Sequence, residues 1–84
     1  MDKAEIELKV KNILANKFDI AIDKIKASSS LKDDLGIDSF GAIELIFEVE
    51  EKFGINISEE DMKEVKIVQD IIEYLRNRLE NHNL

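Results

Sequence analysis

Eighty-four residues suffice for one small domain, expected to span residues 1–84. A hydrophobic content of 44% is too high for a disordered acidic tail, and the lack of cysteine excludes a disulfide framework or a cysteine zinc site. Nineteen acidic residues against twelve basic ones leave a net charge of −7, which argues against nucleic acid or an anionic membrane as partner and for a basic patch on another protein.

The opening stretch MDKAEIELKVKN is charged throughout and carries no apolar signal core. No apolar run approaches the roughly 20 residues needed to cross a bilayer. A cytoplasmic protein is expected.

The first predicted helix runs from about Lys3 to Lys17. Ile6, Val10, Ile13 and Leu14 recur at helical spacing on one face, with Phe18 close by. A long connection, DIAIDKIKASSSLKDDLGID, follows. Its serines and acid pair break the periodicity, yet it carries Ile20, Ile25, Leu31, Leu35 and Ile37. Those residues predict a loop packed over the core, and unstructured connections of this length are often functional. The second helix is predicted from Ser39, with Asp38 as N-cap, to Phe53, where Gly54 suits a left-handed C-terminal turn. Ser58 opens a short third helix, SEEDMKEV, whose early carboxylates favour the positive end of the helix dipole. The fourth runs from about Ile67 to Leu79 on a stripe of Val68, Ile71, Ile72, Leu75 and Leu79. Its start is weakly specified, because Lys66 is a poor cap. The expected fold is all-α, a small four-helix bundle of three main helices and one short one, with a long loop between the first two. The ordered core is expected over about residues 3–79, with a fraying C-terminal tail.

The second helix has two apolar stripes. At about 100° per residue, Ala42, Leu45, Ile46, Val49 and Phe53 share one face. Phe40, Ile43 and Phe47 form a second cluster roughly 130° away, and Glu44, Glu48 and Glu51 lie beyond it. One reading packs the second stripe against the loop or the short helix. The other makes it a docking patch with an apolar centre and an acidic rim, suited to a partner with a basic rim.

Ser39 stands between the acidic loop DDLGID and this helix. A catalytic serine needs a base, and the one histidine, His82, lies in the tail. A serine modified by another enzyme needs only exposure. The spacing of DDLGIDS does not match an EF-hand, and no metal site is predicted.

The residues DLGIDSF, followed by AIELIFEVEEKFGINISEEDM, resemble the acyl carrier proteins. Asp38-Ser39-Phe40 stands where that family has its D-S-L or D-S-M signature at the head of the second helix. Glu44-Leu45 and Glu50-Glu51-Lys52-Phe53 match the pattern that follows it, and VKIVQDIIEYL resembles the last helix. The resemblance implies that Ser39 bears a covalent 4′-phosphopantetheine arm derived from coenzyme A, with Asp38 and Gly36 shaping its setting. It implies a carrier rather than an enzyme. A phosphopantetheinyl transferase would load the arm, and acyl-processing enzymes with basic docking patches would use it. Acyl groups would ride as thioesters on the arm's thiol, on a monomer that touches neither nucleic acid nor membrane. Phe40, Ile43, Glu44, Phe47, Glu48 and Glu51 become the partner surface. An acyl chain folded back between the helices would be lined by Leu45, Ile46, Phe53, Ile57, Ile67, Val68 and Ile71.

Four positions depart from the family's pattern. Phe40 replaces leucine or methionine, Gly41 stands where fatty-acid carriers typically have aspartate, Phe47 takes a place often held by methionine, and Lys66 sits where a capping threonine is usual. The resemblance implies service to enzymes of fatty-acid or related acyl-chain biosynthesis, and the first three departures make a specialised carrier for polyketide, lipid-modification or aminoacyl pathways the alternative. An unmodified acidic interaction module is the remaining alternative.

Overall fold

The computed structural model describes residues 2–81. His82 and the rest of the expected fraying tail beyond Asn81 lie outside the described residues. Four α-helices follow one another: α1 (Lys3–Phe18), α2 (Ser39–Phe53), α3 (Glu59–Lys63) and α4 (Val68–Asn81), with a single 3-10 turn at Ile22–Lys24. There is no strand among the described residues, only an isolated antiparallel bridge between Ser30 and Ile67.

Each helix start is set by a side chain that takes up an otherwise unpaired backbone N–H. Asp2 caps α1 through the Glu5 N–H at 2.9 Å. Asp38 caps α2 through Gly41 at 2.8 Å. Ser58 caps α3 through Asp61 at 3.1 Å. Gly54 closes α2 at a φ of 66°, its N–H on the Glu50 carbonyl at 2.8 Å. Asp19 ends α1 in the same left-handed region, at a φ of 55°, which places that end one residue past the predicted Lys17. The predicted short helix contracts to a single turn, and α4 begins and ends slightly later than its periodicity predicts.

α1 packs on both α2 and α4. Ile6, Val10, Ile13 and Leu14 meet Leu45 and Val49 of α2 and Val68, Ile71, Ile72 and Leu75 of α4. The long loop contributes Ile25, Leu31 and Ile37, all buried, to the same core. It is also hydrogen-bonded into place. The Ser29 hydroxyl accepts from Lys26 N–H at 3.0 Å, the Ser30 hydroxyl from Asp33 N–H at 3.1 Å, and Asp34 from Ser30 N–H at 2.6 Å.

What Lys66 lacks as a cap is supplied by α4 itself and by the loop. The Asp70 carboxylate turns back to accept from Lys66 and Ile67 N–H at 2.9 and 3.1 Å. Val68 N–H then donates to the Ser29 carbonyl at 3.0 Å and Gln69 N–H to the Ala27 carbonyl at 2.9 Å. The start of α4 is therefore capped partly by chain some forty residues earlier in the sequence.

Candidate functional site

Ser39 is the first residue of α2 and is exposed. Asp38 before it is in extended conformation and spends its carboxylate on the Gly41 N–H. Its carbonyl accepts from Ala42 N–H at 2.9 Å. Among the described residues the Ser39 hydroxyl has no hydrogen-bond partner, and no cluster of potential metal ligands is found. Two residues upstream of Asp38, Gly36 adopts a φ of 69°, the left-handed turn that lets the loop reverse into the helix.

Beside Ser39 runs an open groove of about 500 Å³. Its floor is apolar, from Leu31, Ile37, Ala42, Met62 and Val65, and its edges carry Lys32, Lys66, Asp33 and Ser30. An exposed hydroxyl, the first N–H groups of a helix and two nearby ammonium groups suit a phosphodiester. An open groove with apolar residues along it suits a slender flexible arm leading away from the hydroxyl. The residues present therefore fit a phosphopantetheine group.

The second stripe of α2 points to water. Phe40 is 80% exposed, Phe47 63% and Ile43 46%. Ala42, Leu45, Ile46, Val49 and Phe53 turn inward, Leu45 and Val49 fully. The acidic rim is less uniform than the wheel implies. Glu51 is exposed, Glu44 lies 3.8 Å from Lys17 Nζ of α1, and Glu48 is half-buried among Lys9, Lys17 and Lys52.

Between α2, α3 and α4 lies a small, partly enclosed apolar cavity of about 10 Å³. Leu45, Ile46, Ile57 and Ile71 of the predicted acyl lining meet there. Phe53, Ile67 and Val68 do not line it. Phe53 is half-buried under the Lys9 ammonium, and Val68 is sealed beneath the loop that caps α4. Val49, Met62, Val65, Tyr74 and Leu75 complete the wall. Met62 and Val65 are three residues apart, the spacing of one helix face, a signal present in SEEDMKEV. α3 is held over this cavity by Tyr74, whose hydroxyl donates to Asp61 Oδ2 at 2.7 Å and accepts from Arg78 Nη1.

Residues 8–75 match the model of the phosphopantetheine attachment site family. The chain belongs to the acyl carrier protein family. It is 35% identical over 79 residues to the acyl carrier protein of Thermosynechococcus vestitus, an alignment covering 94% of this chain and 98% of that one. It is 41% identical over 73 residues to that of Bdellovibrio bacteriovorus, covering 87% and 94%. The solved acyl carrier protein of Enterococcus faecalis superimposes with a TM-score of 0.74 at 36% identity, covering 89% of this chain and 95% of that one. As a member of this family the protein is a carrier and not an enzyme, and its cofactor is 4′-phosphopantetheine. Membership also implies that this carrier works with a phosphopantetheinyl transferase and with acyl-processing enzymes.

Proposed function

We propose that Ser39 is the residue that takes the phosphopantetheine arm and that this carrier presents acyl groups to enzymes of fatty-acid or related acyl-chain biosynthesis in the cytoplasm, acting as a monomer. The observation that supports the reading best is the exposed, unpartnered Ser39 hydroxyl on the first turn of α2, directly after the capping Asp38. In loading, the Ser39 hydroxyl gives its proton to a base of the transferase and forms an Oγ–P bond to the phosphate that carries the pantetheine, while the phosphoanhydride bond of coenzyme A breaks and adenosine 3′,5′-bisphosphate leaves, with base and metal supplied by the transferase. The N–H groups of Ser39 and Phe40 have no acceptor within the helix and would be free to donate to the phosphodiester. Lys32 and Lys66 stand along the groove where its charge is best balanced. Once attached, the arm supplies the thiol that holds acyl groups as thioesters.

Phe40, Ile43 and Phe47 form the apolar centre of the surface that the partner enzymes cover, with Glu44, Glu48 and Glu51 as its acidic rim. The small cavity under α3 is where an acyl chain would begin to enter, and Met62 and Val65 must shift to admit more than a water-sized volume. A second reading, a dedicated rather than housekeeping pathway, rests on Phe47. Its exposed ring is a stiffer contact than methionine at the docking surface.

The test is direct. After incubation with coenzyme A and a promiscuous phosphopantetheinyl transferase, intact mass should rise by one phosphopantetheine in the wild type and by none in Ser39→Ala. A wild type left unmodified by several such transferases would favour the interaction module instead. Mass analysis of the acyl group carried in the native cell separates the two pathway readings.

A further inference from the structure

α1 and α2 leave a second open groove, of about 420 Å³, on the side of α2 away from α3. Lys9, Asn12, Asn16 and Lys17 of α1 face Glu48 and Lys52 of α2 across it, with Ile13 at its base. In a chain of net charge −7, three ammonium groups here meet one carboxylate. The order around α2 is then apolar stripe, acidic strip, basic groove: Phe40, Ile43 and Phe47 first, Glu51 and Glu44 next, Glu48 after them, and Lys52 at the far edge. Lys17, 3.8 Å from Glu44, already pairs with the strip from the groove side. The helix is about 10 Å across, close to the Debye length in cell-like salt, so the two signs act on the same bound partner.

We propose that the docking surface of this carrier is two-signed, and that its partners present an apolar segment with basic residues along the edge facing Glu44 and Glu51 and acidic residues along the outer edge facing Lys9 and Lys52. The proposal rests on the docking role given above to the second stripe of α2. A partner segment basic on both edges would press cations onto the lysine groove, and like charges set side by side oppose binding. A carboxylate there gains the two lysines and the Asn12 and Asn16 amides, which donate hydrogen bonds to it. The groove thus acts as a filter that separates two-signed partners from indiscriminately basic ones.

Two synthetic helical peptides test this, sharing an apolar face and a basic inner edge but carrying either Glu or Lys on the outer edge. They are titrated at low salt into the full-length 15N-labelled chain. The Glu-edged peptide should bind roughly threefold to tenfold tighter, the size of one or two exposed charge pairs. It should also shift the Asn12 and Asn16 side-chain amide signals. In Lys9→Gln/Lys52→Gln the two peptides should bind equally, while Lys17→Gln, by freeing Glu44, should tighten the Lys-edged peptide. Equal or tighter binding of the Lys-edged peptide to wild type overturns the proposal. So do asparagine shifts of the same size with inorganic phosphate alone, which would make the groove a small-anion site, or self-association of the chain at these concentrations. Binding of neither peptide overturns it together with the docking role, whereas the fate of Ser39 is decided separately by mass.

Discussion

A Cβ placed on Gly41 would stand 2.9 Å from Cγ2 of Ile37. The ring of Phe18 lies 3.1 Å from the same point. The first turn of α2 therefore rests directly on the end of α1 and on the buried anchor of the long loop. Glycine at this position is a packing requirement. In a free helix Gly41→Ala would gain up to about 1 kcal/mol of propensity. Here the overpacking cost, about 1–3 kcal/mol, outweighs it, because Ile37 is itself buried and cannot swing away. Gly41→Ala should lower the denaturant midpoint, and less so in an Ile37→Ala background. An increase in stability would show that the loop yields freely.

Asp70 caps α4 through two backbone donors, so its loss leaves both Lys66 and Ile67 N–H unpaired. Asp70→Ala should cost about 1–2 kcal/mol. Hydrogen exchange should quicken at Lys66 and Ile67 more than at Val68, which keeps its bond to the Ser29 carbonyl. A uniform change across the helix would argue against a local cap.

Tyr74 is the only tyrosine in the chain, so tyrosinate absorbance reports on it alone. Burial raises its pKa above the ordinary 10.0, and the hydrogen bond donated to Asp61 adds to the effect. The neutral phenol is the form the fold favours. Its stabilisation is complete below pH 10 and is lost as pH climbs through the raised folded-state value. The absorbance midpoint should lie above 10 in the folded protein and fall back toward it in denaturant. Tyr74→Phe keeps the ring in the cavity wall but unties α3, at a cost of about 1 kcal/mol. An unshifted midpoint would mean that neither the burial of the Tyr74 hydroxyl nor its Asp61 contact holds in solution.

Phe47 is exposed, so Phe47→Ala should change stability by less than about 0.5 kcal/mol. It should nevertheless slow transfer of phosphopantetheine to Ser39. Among charge reversals, Glu51→Lys should slow transfer most. Glu44→Lys should do so less, since Lys17 already offsets Glu44, and Glu80→Lys, on the far helix beside Arg76, least. The differences should shrink as salt rises. Equal effects of all three reversals would count against the docking surface.

Much of this was readable along the chain. Helix number, the caps Asp38 and Ser58, and the turn at Gly54 follow from side chains acting on backbone groups within four residues of themselves. The inward stripe of α2 follows from helical period alone. So does the second stripe, although its exposure does not: a wheel orders faces without saying which are covered. Other features required chain distant in sequence to be brought close. Part of the cap of α4 comes from Ser29 and Ala27, and Gly41 is needed in part because of Phe18. The cavity closes only once Met62 and Val65 swing onto α4, and the lysines of α1 reach the acidic strip only once the helices are side by side. Local chemistry settled the elements and the position of Ser39 at a helix start; long-range packing decided what surrounds it, because burial and charge pairing depend on neighbours that no sequence window contains.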